Sequence, residues 1–429
     1  MATHSKTYKI VWLVIIAILC FPLIQSLSNI VTTKPLHGAI AKAKSAEFNW
    51  EAWLSESYQE NITPYLKENI GFYSDFIRIN NQLNYWLTNE ANAKGVVIGK
   101  SGYLYETNYI KAYLGTDFIG EEAIKIKVEA MAAFHQKLKE KGKELLVILA
   151  PGKASYFPEF IPRENVSLVY PEKTNYIAYK KALNQQQVPT IDANEWFRNM
   201  KDTSQYPLFP KCGIHWSKYG EYLIADSLSN YLNTLFPDYF PTLKLQDITW
   251  SKTNLDTDFD LGNGMNLLLP ISAFPMAYPT FQYSETNTPK KKAIIVADSY
   301  YWGLHNAGVT SNFFENGEFW YYNKEIHFTT GKTKQPIDET FDINGAIAIT
   351  DLVILLATDA NLYKFPYGFL EQYQQGVNEL LKKEIAKNIK RIRASPEWLE
   401  NITKKAKERG ITLEEAIYND AKYLANQRL

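Results

Sequence analysis

The stretch Ala293-Ile294-Ile295-Val296-Ala297-Asp298-Ser299-Tyr300 decides the fold. Five apolar residues in a row, closed by Asp-Ser, read as a strand buried on both faces whose end opens onto solvent. A serine at the mouth of a sheet is where an α/β fold presents a nucleophile. Trp302-Gly303-Leu304 follows as if opening a helix, whose first N–H groups would be available to an oxyanion.

Working outward, the same alternation recurs. Glu121 to Lys141 carries Ile124, Val128, Met131, Phe134 and Leu138 at helical spacing, ends at Gly142 and feeds the apolar run Leu145-Leu146-Val147-Ile148-Leu149-Ala150. Tyr176 to Leu183 and Tyr219 to Leu235 read as helices, Val188 to Asp192 as a strand edge, and Phe319 to Tyr322 and Leu352 to Ala357 as strands. This alternation predicts an α/β, doubly wound, mostly parallel sheet with helices on both faces and ligands at the carboxyl ends of its strands. Gly95 to Tyr105 predicts a hairpin about Lys100-Ser101-Gly102, and Gly262-Asn263-Gly264 a turn.

The expected organisation has four parts: an N-terminal anchor over 1–30, a helical lead-in over 31–94, the α/β domain over 95–370, and a helical tail over 371–429 broken at Ser395-Pro396. The anchor rests on the apolar run from Ile10 to Leu27, close to the ~20 residues that cross a bilayer. Lys6 and Lys9 precede it, which favours a cytoplasmic N-terminus and an exported remainder. A cleaved signal peptide is the rival reading, with Ser26-Leu27-Ser28 as the cleavage site; the length of the run favours retention.

Composition narrows the function classes. Lys plus Arg and Asp plus Glu balance at 46 each, so no net charge recruits nucleic acid. The two cysteines, Cys20 and Cys212, lie one inside the apolar run and one far outside it, which leaves no disulfide framework for an exported domain. No His/Cys/Asp/Glu spacing suggests a metal, and no glycine-rich loop suggests a phosphate cofactor. The chain has 29 Tyr and 10 Trp, an aromatic content that serves packing first and grooves for neutral, hydroxyl-rich ligands second.

Histidine is the commonest base for a serine nucleophile, and the chain has six. His215, in Gly213-Ile214-His215-Trp216-Ser217-Lys218-Tyr219-Gly220, has the most distinctive setting: Trp216 beside it, a helix just after, and Gly220 to allow close approach. His305 and His327 follow the Ser299 strand closely enough to remain open. Further expectations attach to the strand ends. Asp298, Asp359, Asn266 and Asn361 are candidates to orient the base or to assist the Ser299 amide at an oxyanion, while Lys153, Tyr300, Tyr301 and Trp302 are candidates to contact substrate.

Four segments carry a family resemblance: Gly99 to Tyr105, Ala150-Pro151-Gly152-Lys153, His215 to Gly220 and Asp298-Ser299-Tyr300. They resemble the successive motifs of the alginate O-acetyltransferase proteins AlgJ and AlgX, in the SGNH-hydrolase-like group. Histidine before serine in the chain also matches that branch, since the usual esterases of the group have the serine first. The resemblance implies an exported domain in the cell inner membrane that moves acetyl groups onto polysaccharide hydroxyls, supplied by a membrane-bound O-acyltransferase partner. A carbohydrate acetyl esterase using the same residues, and a non-catalytic glycan-binding or scaffold subunit, are the alternatives. One departure stands out. The family has Asp two residues before its histidine, and this chain has Gly213. Loss of that carboxylate costs about 10⁴ in turnover in the serine-protease template, so either another carboxylate or a backbone carbonyl orients His215, or the protein is catalytically weak.

Overall fold

The apolar runs become the strands of one sheet because each is buried on both sides. The computed structural model describes residues 2–38, 43–162, 172–329 and 334–427. A hairpin of β1 (Val96–Ile98) and β2 (Leu104–Glu106) precedes the main sheet strands β3 (Glu144–Ala150) and β4 (Thr190–Asp192). An antiparallel ribbon follows, β5 (Leu243–Ser251) with β6 (Met276–Tyr283), and then β7 (Ala293–Ala297), β8 (Glu318–Tyr321), β9 (Glu325–Phe328), β10 (Gln335–Pro336) and β11 (Leu352–Thr358). The seven-stranded sheet runs β10-β9-β8-β7-β11-β3-β4, parallel from β8 to β4 and closed by two antiparallel strands at the β10 edge.

Alternation along each central strand divides the core. Leu146, Ile148 and Ala150 of β3, Ile295 and Ala297 of β7, and Ile354 and Leu356 of β11 face one hydrophobic cluster. Leu145, Val147 and Leu149, Ile294 and Val296, and Val353 and Leu355 face the other. The helix Glu121–Glu140 packs on the second face through Ile124, Val128, Met131 and Leu138, and Lys218–Leu235 packs on the first through Ile224, Leu228 and Leu232. Central parallel strands covered on both faces read as unbroken apolar runs, so the sequence pattern and the layers agree.

The tail forms three helices, Phe369–Ala394, Pro396–Arg409 and Leu413–Asn426, around a separate cluster that includes Ile392, Ile402, Ile417 and Ala421. Ser395 makes the break, its hydroxyl accepting from Trp398 N, with Pro396 at the first helical position. The apolar N-terminal helix Ala2–Ser28 contains the stretch Thr7–Ser28, long and apolar enough to cross a membrane by length and composition. Two features differ from expectation. The ribbon β5–β6 is an addition, since β5 is largely exposed and carries no apolar run to mark it. Gly262-Asn263-Gly264 is not a free turn but the end of a short helix, Asp260–Gly264, and that helix matters below.

Candidate active site

The parallel strands all end on one rim. Ser299 follows β7, Asp359 follows β11, Gly152 and Lys153 follow β3, and Tyr322 follows β8. The helix expected after the serine forms over Tyr301–Asn306. His215 reaches the rim from the loop between the helices Ala193–Asn199 and Lys218–Leu235. Its Nε2 lies 3.1 Å from Ser299 Oγ, so residues 84 apart in the chain meet at hydrogen-bond distance. Both side chains are half-buried rather than sealed.

The other imidazole nitrogen finds a carboxylate that sequence reasoning missed. His215 Nδ1 lies 2.8 Å from Asp260 Oδ2, at the start of the short helix Asp260–Gly264. The second oxygen, Oδ1, accepts from Ile214 N at 3.0 Å and from Leu261 N at 2.6 Å, which fixes the carboxylate plane. An acceptor on Nδ1 places the proton there and leaves the Nε2 lone pair for the serine hydroxyl. Burial alone would lower the imidazole pKa; the Asp260 hydrogen bond and charge, with Asp298 and Glu221 farther off, outweigh it and hold it above its ordinary value.

Gly213 has no room for a side chain. A Cβ at this position would lie 2.1 Å from Thr257 O and 2.9 Å from the carbonyl carbon of Asp258. The segment leading to Asp260 therefore occupies the space that a side chain at 213 would need. The only signal in the sequence was the acidic run Asp256-Thr257-Asp258-Phe259-Asp260, which by itself marks no partner. Glu106, at the end of β2, was missed as well. Burial first and the Asp260 charge second push its pKa up, with the His215 charge opposing them.

The loop carrying His215 is held from three sides. Lys153 Nζ donates to Lys211 O at 2.6 Å and Gly213 O at 2.7 Å, Tyr300 OH donates to Ile214 O at 2.7 Å, and Asp260 holds Ile214 N. Ser217 then caps the next helix, accepting from Gly220 N at 3.0 Å. Trp216 is fully buried and packs on the Tyr300 ring.

Several candidate residues take other places. Lys153 is 0% exposed, with its ammonium near the Tyr105 ring; burial lowers its pKa to about 7. It braces the His215 loop and does not stand on the rim as a substrate contact. Tyr300 and Tyr301 are each 0% exposed, which removes them from any sugar platform; Trp302 is partly exposed and packs on Phe319, Tyr321 and His327. Asp298 does not orient His215: it accepts from Tyr300 N, Thr358 N, Thr358 Oγ1 and Asn361 Nδ2, tying the end of β7 to the end of β11. Asn361 is committed to that same buried knot. Asp359 is buried and accepts from Ser155 Oγ and Ala360 N, and burial raises its pKa to about 6. Asn266 exchanges hydrogen bonds with the backbone of His37, 229 residues away, which pins the N-terminal segment and leaves its amide unavailable to an oxyanion. His305 pairs with Thr310 and His327 with Glu325, so neither is the partner of Ser299.

Residues 96–267 match the family model for the SGNH hydrolase-like domain of the acetyltransferase AlgX. The match covers less than half of the chain; His215 and Asp260 fall within it and Ser299 after it. Among solved structures, the fold is similar to the O-acetyltransferase domain of Pseudomonas putida AlgJ, at 15% identity over 65% of this chain and 98% of that one, with a TM-score of 0.42. It is similar to Pseudomonas aeruginosa AlgX at 18% identity over 66% and 68% of the two chains, with a TM-score of 0.41. Bacillus cereus PatB1 is similar at 13% identity over 62% and 96%, with a TM-score of 0.38. No curated protein sequence matches the chain.

Proposed function

We propose that this chain is an exported, membrane-anchored O-acetyltransferase that esterifies polysaccharide hydroxyls through an acetyl-Ser299 intermediate. One observation carries the reading: a single imidazole bridges Ser299 Oγ at 3.1 Å and Asp260 Oδ2 at 2.8 Å, on the carboxyl rim of a parallel sheet. The family match over residues 96–267 supports the acyl chemistry, and the apolar helix Thr7–Ser28 supports the anchor.

In the first half-reaction Ser299 Oγ attacks the acetyl carbonyl of the donor as His215 Nε2 takes its proton. Asp260 then stabilises the doubly protonated imidazole, and the Ser299 amide N–H is the expected donor to the oxyanion. The carbonyl re-forms, the donor leaves with the proton from Nε2, and Ser299 is acetylated. In the second half-reaction Nε2 takes the proton of a sugar hydroxyl, whose oxygen attacks the acetyl-serine. Collapse releases the sugar ester and returns the proton to Ser299. The donor is supplied in this reading by a membrane-bound O-acyltransferase. Water as acceptor would make the same residues an esterase.

Incubation with p-nitrophenyl acetate and mass spectrometry of the intact chain tests the proposal. A gain of one acetyl group mapped to Ser299, discharged faster by added oligosaccharide than by buffer, is the expected result. Discharge at the same rate with and without sugar supports the esterase, and absence of any acetyl adduct at Ser299 overturns both enzymatic readings.

A further inference from the structure

The helix Tyr73–Thr88 is packed inside out. The side chains it buries against the domain are polar: Arg78, Asn81 and Gln82. Arg78 donates to Lys34 O at 2.9 Å and Pro35 O at 2.8 Å, Asn81 donates to Met265 O at 2.9 Å, and Gln82 accepts from Leu269 N at 2.8 Å. The side chains it turns outward are mostly apolar, with Asn80 and Thr88 the polar ones. Phe76, Ile79, Leu83 and Trp86 recur at helical spacing on one face, with Leu87 beside them at 78% exposure. A soluble helix does the reverse, and an exposed stripe of this kind marks a surface that something apolar covers.

The contacts at the start of this helix identify the covering phase. Phe72, just before Tyr73, stacks on Phe21 with ring centroids 5.0 Å apart, and Gly71 N donates to Ser26 Oγ at 2.6 Å. Phe21 lies seven residues before the end of the helix Ala2–Ser28, about 10 Å along its axis at 1.5 Å per residue. The outward stripe therefore begins alongside the last two turns of the apolar helix, not beyond them. Trp50 and Trp53, exposed on the short helix Trp50–Leu54, are amphipathic aromatics of the kind that favour headgroup level, and Leu54 beside them is exposed and apolar.

We propose that the outer face of Tyr73–Thr88 lies on the lipid bilayer, as an interfacial helix that joins the anchor to the catalytic domain. This rests on reading Thr7–Ser28 as membrane-spanning. Its consequence is positional: Asn81 and Gln82 grip residues 265 to 269, which directly follow the helix bearing Asp260. The active-site rim is thereby held at a fixed orientation to the membrane instead of swinging on a free linker.

The test uses the full chain, with Cys20→Ser, reconstituted in vesicles of phosphatidylethanolamine and phosphatidylglycerol. A nitroxide is attached at Leu83→Cys or Leu87→Cys, with Leu13→Cys in the anchor and Ile126→Cys on the exposed face of Glu121–Glu140 as references. Collisions with oxygen and with a water-soluble nickel chelate are then compared. Labels at 83 and 87 are expected to be oxygen-accessible and chelate-shielded, like 13 and opposite to 126. Chelate access at 83 and 87 with 13 still shielded overturns the proposal and leaves the anchor reading intact. Exclusion of both reagents at 83 and 87 overturns it in favour of a protein cover. Chelate access at 13 overturns the anchor reading and the proposal with it.

Discussion

Asp260 supports His215 from 45 residues downstream, its Oδ2 2.8 Å from Nδ1, in a chain whose Gly213 leaves no side chain at the position two residues before the histidine. The missing local aspartate therefore does not imply a missing orienting group, and the non-catalytic alternative loses the argument that favoured it.

Replacing Ser299 with Ala should reduce acetyl transfer by at least about 10³-fold, because the attacking oxygen is gone while the remaining site still binds. His215→Ala should cost a similar factor. The double variant should be no slower than either single one, since the two side chains act as one unit. Steady-state assays on the three variants check this, and additive losses would separate the two residues.

Asp260→Asn should lower kcat by about 10²- to 10⁴-fold with little change in KM, because the amide disfavours the productive imidazole tautomer and cannot stabilise its charged form. Adding Gly213→Asp to that variant should not restore activity: a side chain at 213 collides with Thr257 O and displaces the segment it is meant to replace. Recovery of activity in the double variant would show that the 213 position can orient His215 after all.

How much of this was legible in the sequence follows from physics. The strands β3, β7 and β11 at the centre of the sheet were readable because a strand buried on both faces is an unbroken apolar run, and the helices because one face repeats. Ser299 and His215 were readable because each follows or precedes such an element. Asp260 was not, because a carboxylate that partners a histidine is chosen by tertiary approach, and Asp256, Asp258 and Asp260 are alike in sequence. Tyr300, Tyr301 and Lys153 were misplaced for the related reason that residue type does not tell inside from outside. An aromatic next to a nucleophile can pack under it as readily as beside it, and a lysine can be fully buried when two carbonyls receive its ammonium.

The pH dependence has a defined sign. His215 acts as a base only when neutral, and its pKa is raised from 6.5, so kcat/KM should climb with pH through a midpoint above that value. Asp260→Asn removes the contacts that raise it, so the acid limb should move to lower pH even as the maximum falls. The stability sign is separate. A histidine whose folded pKa is raised contributes stability that is fully present below its unfolded value and lost as pH rises through the folded one. The stability gap between the unsubstituted chain and Asp260→Asn should therefore narrow as pH rises through that limb, by denaturant titrations at several pH values. A limb that stays put in Asp260→Asn would mean that Asp260 does not set the His215 pKa.

Lys153→Met should destabilise the fold and slow the reaction through one cause. Methionine is close in length and fits a buried site, yet it leaves the Gly213 carbonyl without its donor, at about 1–3 kcal/mol for a buried group left unpaired, while the Lys211 carbonyl loses one of two donors and keeps Leu104 N. Those carbonyls flank the approach to His215, so the base loses its fixed position relative to Ser299 and kcat falls, while KM for substrate changes little. A lysine on the rim that touched substrate would behave oppositely, raising KM and leaving the denaturation midpoint unmoved. Urea titration and steady-state kinetics on the same variant separate the two roles, and an unchanged midpoint with a raised KM would return Lys153 to the substrate side of the site.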